Sequence, residues 1–216
     1  AIQCLKNQPI FIQKSFADFY SALLKKMNFN FPIILASKSP RRQQLLKEMG
    51  AAFSVKTKDT EENYPSEMKP SEVPTYLASK KAHALLDETN NEIIIAADTI
   101  VLLDNEILGK PTNEQEAFDM LRKQSGKSHD VITGVCLLNK HKEICFSDTT
   151  KVHFKELSKE EIEFYITTFQ PFDKAGSYGI QEWLGKIAIN KIEGSYFNVM
   201  GLPTHKLYEA LLSFNQ

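Results

Sequence analysis

An apolar run that passes directly into a helix start constrains the fold of this chain more than any other feature. Residues 33–46 read IILASKSPRRQQLL, and the apolar residues 33–35 at their start form a strand-like segment. Ser39 is a residue type that caps helices, and Pro40 is favoured at the first helical position. The segment therefore predicts a strand followed, after a short loop, by a helix.

Two arginines occupy the first turn of this predicted helix, where cations are normally unfavourable. Arg41 and Arg42 oppose the helix dipole there, at a cost of about 0.3–1 kcal/mol each, whereas the free backbone N–H groups would bind an anion. Together with the hydroxyl groups of Ser37 and Ser39, these groups can surround a polyphosphate. The alternative is that both arginines bend outward and pair with acidic side chains on the surface.

The rest of the chain alternates strand and helix patterns without a repeat or a linker. Strand patterns occupy residues 53–56, 93–103, 131–138, 144–154, 187–192 and 196–200, with a hairpin through 139–142 and a turn at Gly194. Helix starts are indicated at Ser71, at Thr112 with Gln115, at Ser158 with Glu161, and at Pro203. This order predicts a mixed α/β fold.

The composition bounds the class of protein. The chain has 216 residues, of which 42% are hydrophobic and 25% charged, enough for one sizeable core but cramped for two independent domains. A formal net charge of −1 argues against the broad positive field that holds proteins on nucleic acid, so no stable nucleic-acid partner is expected. Any site for a polyanion must therefore be local.

The cysteines and the apolar segments indicate the setting of the protein. Cys4, Cys136 and Cys145 are odd in number and lack the close pairs that thiolate metal sites use, which favours a reduced, cytoplasmic setting. No apolar stretch approaches the roughly 20 residues that cross a bilayer, so no membrane anchor is expected. Residues 1–30 partly follow helical spacing and predict an appended helix that packs against a domain at 31–216, with membrane-surface or partner binding as the alternative.

A carboxylate interrupts the most apolar segment of the chain. Asp98 lies between the apolar runs 93–95 and 100–102, so its side chain is expected to be at least partly buried and to need a partner. A metal ion, a lysine or an activated water would each serve, and all three suit phosphoryl chemistry. The alternative is a turn aspartate that accepts hydrogen bonds from backbone N–H groups.

Two lysines and a glutamine are further candidates, each with an ordinary structural alternative. Pro111 holds the backbone of Lys110 extended, so that its side chain projects from a defined loop, and Lys81 lies near the middle of a predicted helix; either can instead extend into water. The segment 173–183, DKAGSYGIQEW, can bring backbone close to a ligand, and the amide of Gln181 matches the edge of a pyrimidine base. A structural loop glutamine has the same signature.

A series of motifs, in order along the chain, matches one known family. They are ASKSPRRQQLL at 36–46, Glu62 in an acidic loop, KKA at 80–82, AADT at 96–99, GKP at 109–111, SGKSHDVITGV at 125–135, DKAGSYGIQ at 173–181 and EGSYFNVMGLP at 193–203. With these motifs the chain resembles the Maf-like nucleoside triphosphate pyrophosphatases. Only residues 1–30 fall outside the resemblance.

The resemblance implies a fold and a reaction. The fold is similar to that of inosine triphosphate pyrophosphatases, an elongated mixed sheet flanked by helices with a central cleft between two lobes. The reaction is the hydrolysis of a nucleoside triphosphate to the monophosphate and pyrophosphate, and it depends on a divalent metal cation, magnesium or manganese. A homodimer is compatible with the resemblance.

The resemblance also implies roles for individual residues. Asp98 accepts a proton from water and joins Glu62 at the metal ion, while Arg42, Lys81 and Lys110 hold the phosphates. Physically this is coherent, because the cations offset developing negative charge and the carboxylates hold the ion and orient the attacking water. Asp98, Glu62, Lys81 and Lys110 are thus the implied catalytic residues.

Base choice within the family is tied to the positions of Arg41, Thr99 and Gln181. The sequence YGIQ at 178–181 resembles the branch that acts on dTTP and UTP, with modified pyrimidine nucleotides as further candidate substrates. Two alternatives stay open: a pyrophosphatase for 7-methyl-GTP, and a regulator of cell division that binds nucleotide in the cleft and acts through a protein partner.

Overall fold

The structure is a computed structural model, and it describes residues 31–214. Over this range the strands are β1 (Ile33–Leu35), β2 (Phe53–Val55), β3 (Ile93–Leu103), β4 (Glu106–Leu108), β5 (Ser128–Leu138), β6 (Glu143–Phe154) and β7 (Ile189–Glu193). The helices are α1 (Pro40–Glu48), α2 (Val73–His83), α3 (Glu114–Gln124), α4 (Lys159–Phe169), α5 (Trp183–Ala188), α6 (Tyr196–Met200) and α7 (Thr204–Phe214). Short 3₁₀ turns occupy Leu86–Glu88, Pro171–Asp173 and Ala175–Ser177.

The strands form one mixed sheet flanked by helices, which confirms the predicted fold class. Their order is β2-β1-β3-β5-β6-β7, and β4 pairs with the end of β3. Strand β1 runs parallel to both β2 and β3, and the other neighbouring strands are antiparallel. The predicted strand–loop–helix unit at the start of the motif series is present as β1 and α1.

The middle of β3 is unpaired along one edge because its two partners on that edge are short. Strand β1 pairs with β3 only as far as Ile95, and β4 pairs from Val101 onward. Strand β5 covers the opposite edge throughout this stretch. Asp98 and Thr99 therefore lie in the gap between β1 and β4, beside the loop that leads from β1 into α1.

The two faces of the sheet carry separate apolar clusters, and strand alternation assigns residues to them. Ile94 and Ala96 of β3 belong to a cluster on the face covered by α2, whereas Ile95 and Ala97 belong to the larger cluster on the other face. By the same alternation Asp98 lies on the α2 face, and Thr99 lies on the other. The two side chains thus reach different elements from adjacent positions in one strand.

Helix α2 approaches the sheet closely because small residues line the contact. Ala78 and Ala82 of the helix are fully buried in one cluster with Ala96 of β3 and Cys136 of β5. The close contact places Lys81, in the last turn of α2, beside the middle of β3.

One of the predicted helix caps is confirmed, and two others are wrong. Ser158 and Glu161 form the predicted capping box of α4. Helix α3 is capped by Asn113, whose side chain accepts from the Glu116 backbone N–H, so the predicted cap of Thr112 with Gln115 is wrong by one residue. Asparagine is the stronger cap of the two neighbours because its short amide oxygen reaches the third helical N–H readily.

The start of α2 also differs from its prediction. The helix begins at Val73 with Glu72 as its N-cap residue, so Ser71 does not cap it. Helix α1 begins at Pro40 after an extended Ser39, as predicted, but the Ser39 side chain makes no capping hydrogen bond. Its backbone N–H instead donates to the Ser37 hydroxyl over 3.2 Å.

The predicted strand at 196–200 is wrong, since these residues form helix α6. The aromatic and β-branched residues there favour a strand, but Ser195 caps the segment by accepting from the Asn198 N–H, and Gly201 ends it with a φ of 111°. The buried Asn198 amide donates to the Val131 carbonyl over 3.0 Å and to Thr150 Oγ1 over 2.9 Å. Tertiary hydrogen bonds to β5 and β6 thus override the local preference.

The predicted hairpin of β5 and β6 is confirmed, and its register brings two cysteines together. Asn139 Oδ1 accepts from the backbone N–H groups of His141 and Lys142, which closes the turn. Cys136 and Cys145 are direct register partners. The two cysteines, which lack the close sequence spacing of thiolate metal sites, are therefore neighbours in the sheet.

Between residues 31 and 214, no helix combines the length and apolarity that spanning a bilayer requires. The helical extension predicted for residues 1–30 lies outside the described residues, as does Cys4.

Candidate active site

A cleft lies at the unpaired middle of β3 and continues into a second hollow beside the β1–α1 loop. Helix α1, the last turn of α2 and the loop before α5 form its walls. Every site residue predicted from the sequence lines one of these two connected spaces: Ser37, Ser39, Arg41, Arg42, Glu62, Lys81, Asp98, Thr99, Lys110 and Gln181.

Asp98, Lys81 and Glu62 form the central cluster of charges. The Lys81 ammonium donates to Asp98 Oδ1 over 2.6 Å and to Glu62 Oε1 over 2.7 Å. Asp98 is buried, with 9% of its surface exposed, so its charge is compensated by the lysine as buried charges require. The lysine partner predicted as one alternative for Asp98 is thus present, and the turn-aspartate alternative is wrong because Asp98 lies inside β3.

The electrostatic environment keeps Glu62 ionised. Burial raises the pKa of this carboxyl group, but the hydrogen bond and charge of Lys81, with the charges of Lys110 and Arg42, outweigh it and lower the pKa overall. Two carboxylates therefore converge on one cation in a cleft that contains further cations.

Arg42 turns inward from the first turn of α1. Its Nε donates to the Gly201 carbonyl over 2.8 Å and its Nη2 to Thr99 Oγ1 over 2.9 Å, while Nη1 reaches Ser37 Oγ at 3.4 Å. Burial lowers the pKa of the guanidinium. The alternative prediction that Arg42 bends outward to a surface acid is therefore wrong.

Arg41 instead pairs with an acidic side chain, as the alternative interpretation predicts. Its Nη1 donates to Asp173 Oδ2 over 2.8 Å, at the opposite wall of the cleft. The ion pair joins α1 to the loop before α5 across the opening. An anion in the cleft would therefore meet an arginine whose charge is already partly compensated.

A chain of hydrogen-bonded hydroxyl groups holds the residue that Arg42 contacts. Thr99 Oγ1 lies 2.9 Å from Thr133 Oγ1, and the Thr133 hydroxyl donates to the Asn198 carbonyl over 3.0 Å. Thr133 and Asn198 are fully buried. The chain fixes the position of Thr99, and through it the guanidinium of Arg42.

Lys110 forms no ion pair with the described residues, although its charge acts on Glu62 from a greater distance. Among residues 31–214, no carboxylate lies within ion-pairing distance of its ammonium, which is exposed at the mouth of the cleft. It is thus available to an anion from outside, unlike Arg41 and Lys81.

Gln181 carries a buried hydrogen-bond acceptor without a partner. Its Oε1 atom is inaccessible to solvent and receives no hydrogen bond, while the residue lines the cleft. Buried acceptors of this kind are costly unless a ligand supplies a donor. Gln181 therefore lies at the wall of the cleft with an acceptor atom that the described residues leave unpaired.

Several residues of the site were not singled out by the sequence. Lys174 is buried, and its ammonium binds Asp173 over 2.6 Å and Glu182 over 3.1 Å. The Tyr165 hydroxyl donates to Glu182 and accepts from the Gly179 N–H, which holds the loop before Gln181. Asp173 and Lys174 open the motif DKAGSYGIQ at 173–181, whose other residues are uncharged, and this charged pair was the available signal.

Comparison with known proteins follows this geometry. A family model described as Maf-like protein matches residues 32–214. The dTTP/UTP pyrophosphatase of Cytophaga hutchinsonii is 52% identical over 182 residues, which cover 84% of this chain and 84% of the relative. The dTTP/UTP pyrophosphatase of Phocaeicola vulgatus is 54% identical over 183 residues, 84% of this chain and 95% of the relative.

A third relative and one solved structure complete the comparison. The dTTP/UTP pyrophosphatase of Flavobacterium johnsoniae is 50% identical over 190 residues, 88% of this chain and 98% of the relative. The Staphylococcus aureus Ham1 protein aligns with a TM-score of 0.41 and 14% identity, covering 60% of this chain and 88% of that one.

Proposed function

Since this chain belongs to the Maf-like protein family, we propose that it is a nucleoside triphosphate pyrophosphatase that hydrolyses dTTP and UTP to the monophosphate and pyrophosphate. The observation that carries the proposal is the cluster of Asp98, Lys81 and Glu62 at the floor of a cleft whose rim bears Lys110. A module that only bound nucleotide would need the cations, but it would not need two carboxylates beside them.

In this proposal Asp98 accepts the proton of the attacking water. Its Oδ1 accepts from Lys81, and the described residues supply no hydrogen bond to its other oxygen, so that oxygen is free to receive the proton. Lys81 holds the carboxylate in one orientation through a 2.6 Å hydrogen bond. The base is thus fixed before the substrate arrives.

The cations bind the triphosphate and offset the charge that develops as the anhydride bond breaks. Lys110 contributes a charge that no ion pair with the described residues engages. Arg42 is held by Gly201 and Thr99, so it contributes from a fixed position at the floor. Ser37 and Ser39 supply hydroxyl groups beside the start of α1, where backbone N–H groups face an anion.

Asp98 and Glu62 are suited to hold a divalent cation such as Mg²⁺ or Mn²⁺. Their carboxylates already converge on one cation, the Lys81 ammonium, and carboxylate oxygens are the ligands that these ions prefer. When bound, the ion would neutralise phosphate charge and activate water. Lys81 would then have to give up part of its contact with the two carboxylates.

Gln181 supports the choice of base. Thymine and uracil present an N–H donor at N3, whereas cytosine presents an acceptor at the same position. A rotation that turns the unpartnered Oε1 atom of Gln181 toward the cleft would therefore favour thymine and uracil. The proposal further locates the enzyme in the cytoplasm and assigns the chemistry to residues 31–216. The predicted homodimer stays a prediction.

The test is a substrate panel. The wild-type protein with Mg²⁺ or Mn²⁺ is expected to release pyrophosphate from dTTP and UTP with a higher kcat/KM than from CTP, ATP or GTP. In Gln181→Ala this preference should narrow, because the lost hydrogen bond concerns the base and not the phosphates. Gln115→Ala, which removes an exposed glutamine on α3, should leave it unchanged.

Two results would count against the proposal. A wild-type protein that prefers a purine triphosphate would overturn the substrate assignment. A Gln181→Ala variant that keeps the full preference would remove Gln181 from base recognition.

A further inference from the structure

A second cluster of potential ligand atoms lies on the α2 face of the sheet, outside the cleft. Cys136 of β5 and Cys145 of β6 are register partners, and Glu143 precedes Cys145 by two positions, so its side chain lies on the same face. The Glu143 Oε1 atom is 3.4 Å from each of the two sulfur atoms. The three ligand atoms lie within 4.8 Å of one another.

The two sulfur–oxygen distances match an edge of a metal coordination tetrahedron. With zinc–sulfur bonds near 2.3 Å and zinc–oxygen bonds near 2.1 Å, sulfur and oxygen ligands lie about 3.6 Å apart in a tetrahedral site. Two thiolates with a carboxylate form a donor set that favours zinc over magnesium or calcium, which take oxygen ligands.

Helix α2 places a fourth candidate ligand beside the same oxygen. His83 Nδ1 lies 3.8 Å from Glu143 Oε1, and Ser79, one turn earlier on the helix, donates to that oxygen over 2.9 Å. His83 Nδ1 also lies 3.0 Å from the Ser79 carbonyl oxygen, so the ring must leave this contact before it can bind an ion.

We propose that Cys136, Cys145 and Glu143 bind a zinc ion, with His83 as the nearest group for the fourth position. The ion joins the β5–β6 hairpin to α2, the helix that carries Lys81. Its role is structural, because the cluster lies outside the cleft and none of its members lines it. The proposal does not rest on the proposed function.

The test uses the reduced full-length protein, freed of metal and titrated with Co²⁺ without oxygen. One equivalent is expected to give a thiolate-to-cobalt charge-transfer band, which Zn²⁺ then abolishes by displacement. This band reports sulfur ligands only, so Co²⁺ bound by Asp98 and Glu62 cannot produce it. Zn²⁺ should also raise the Tm of the wild-type protein by several degrees.

Variants separate the site from nonspecific binding. Cys145→Ser changes an exposed residue and should keep the fold, yet lose the band and bind Zn²⁺ at least tenfold more weakly, with a smaller Tm shift. Glu143→Gln should weaken binding as well, whereas Cys4→Ser should keep both the band and the affinity. Absence of the band in the reduced wild-type protein, or its persistence in Cys145→Ser, would overturn the proposal.

Discussion

One methyl group added at Gly134 should disturb the candidate active site by displacing helix α2. It lies on β5 directly opposite Asp98 in the sheet register. A Cβ atom added there would be 2.2 Å from the Thr75 backbone nitrogen and 2.3 Å from the Pro74 carbonyl carbon, both in the first turn of α2. These are backbone atoms, so no side-chain rotation can relieve the overlap.

The size of the effect follows from the distances. Ordinary contact begins at 3.4 Å, so with the closest atom at 2.2 Å the start of α2 must move by about 1 Å. Overpacking of this kind costs about 1–3 kcal/mol, and the Tm should fall by about 2–12 °C. Lys81 lies on the same helix, and a displacement of about 1 Å should reduce kcat/KM by roughly 10²-fold.

The assay compares Gly134→Ala with the wild-type protein in urea unfolding and in pyrophosphate release from dTTP, with circular dichroism as the check on folding. Gly109→Ala is the matched stability control, since no atom lies within 4 Å of its added Cβ. A folded Gly134→Ala variant with wild-type stability and turnover would refute the reasoning that α2 is held in place by its close packing on β5.

Two further predictions concern the buried titratable groups Arg42 and His129. A lysine in Arg42→Lys cannot reproduce the paired hydrogen bonds of the guanidinium to Gly201 and Thr99. Steady-state kinetics should show a kcat/KM for dTTP lower by about 10- to 100-fold, since hydrogen bonds from charged groups contribute roughly 1.5–3 kcal/mol each. Unchanged kinetics would contradict the role given to these hydrogen bonds. Burial lowers the pKa of His129 from 6.5 to about 4, so only the unfolded state gains this proton as the pH falls through that window. The contribution of His129 to the free energy of unfolding should therefore be full above pH 6.5 and fall by up to about 3 kcal/mol toward pH 4. The urea midpoint of His129→Gln should depend less steeply on pH than that of the wild-type protein. An equal pH dependence in the two proteins would assign the effect to other groups.

The parts of the fold that local sequence determines were predictable. The β1–α1 unit follows from an apolar run, a serine and a proline, and the capping box of α4 follows from Ser158 and Glu161. The burial of Asp98 follows from its apolar neighbours alone. In each case the signal and the structure lie within a few residues of each other.

The parts that depend on tertiary contacts were not predictable from local patterns. The inward turn of Arg42 requires the carbonyl of Gly201, which only the folding of α6 brings into reach. Segment 196–200 forms a helix because Asn198 bonds to β5 and β6, against its strand-like composition. The motif resemblance predicted that the site residues share one cleft, but it did not indicate that Arg41 would pair with Asp173.

The cysteine pair shows the same limit. Sequence spacing separates Cys136 from Cys145, and only the register of the β5–β6 hairpin makes them neighbours. A one-residue slip of that register would place their side chains on opposite faces of the sheet.

The most direct test of the central claim is the turnover of Asp98→Asn at saturating dTTP and metal. The substitution keeps the size and polarity of the side chain but removes its charge and most of its basicity. We expect kcat to fall by at least about 10²–10⁴-fold, the range attributed to general-base catalysis, with circular dichroism unchanged. A folded Asp98→Asn protein with near-normal kcat would contradict the proposal that Asp98 activates the water.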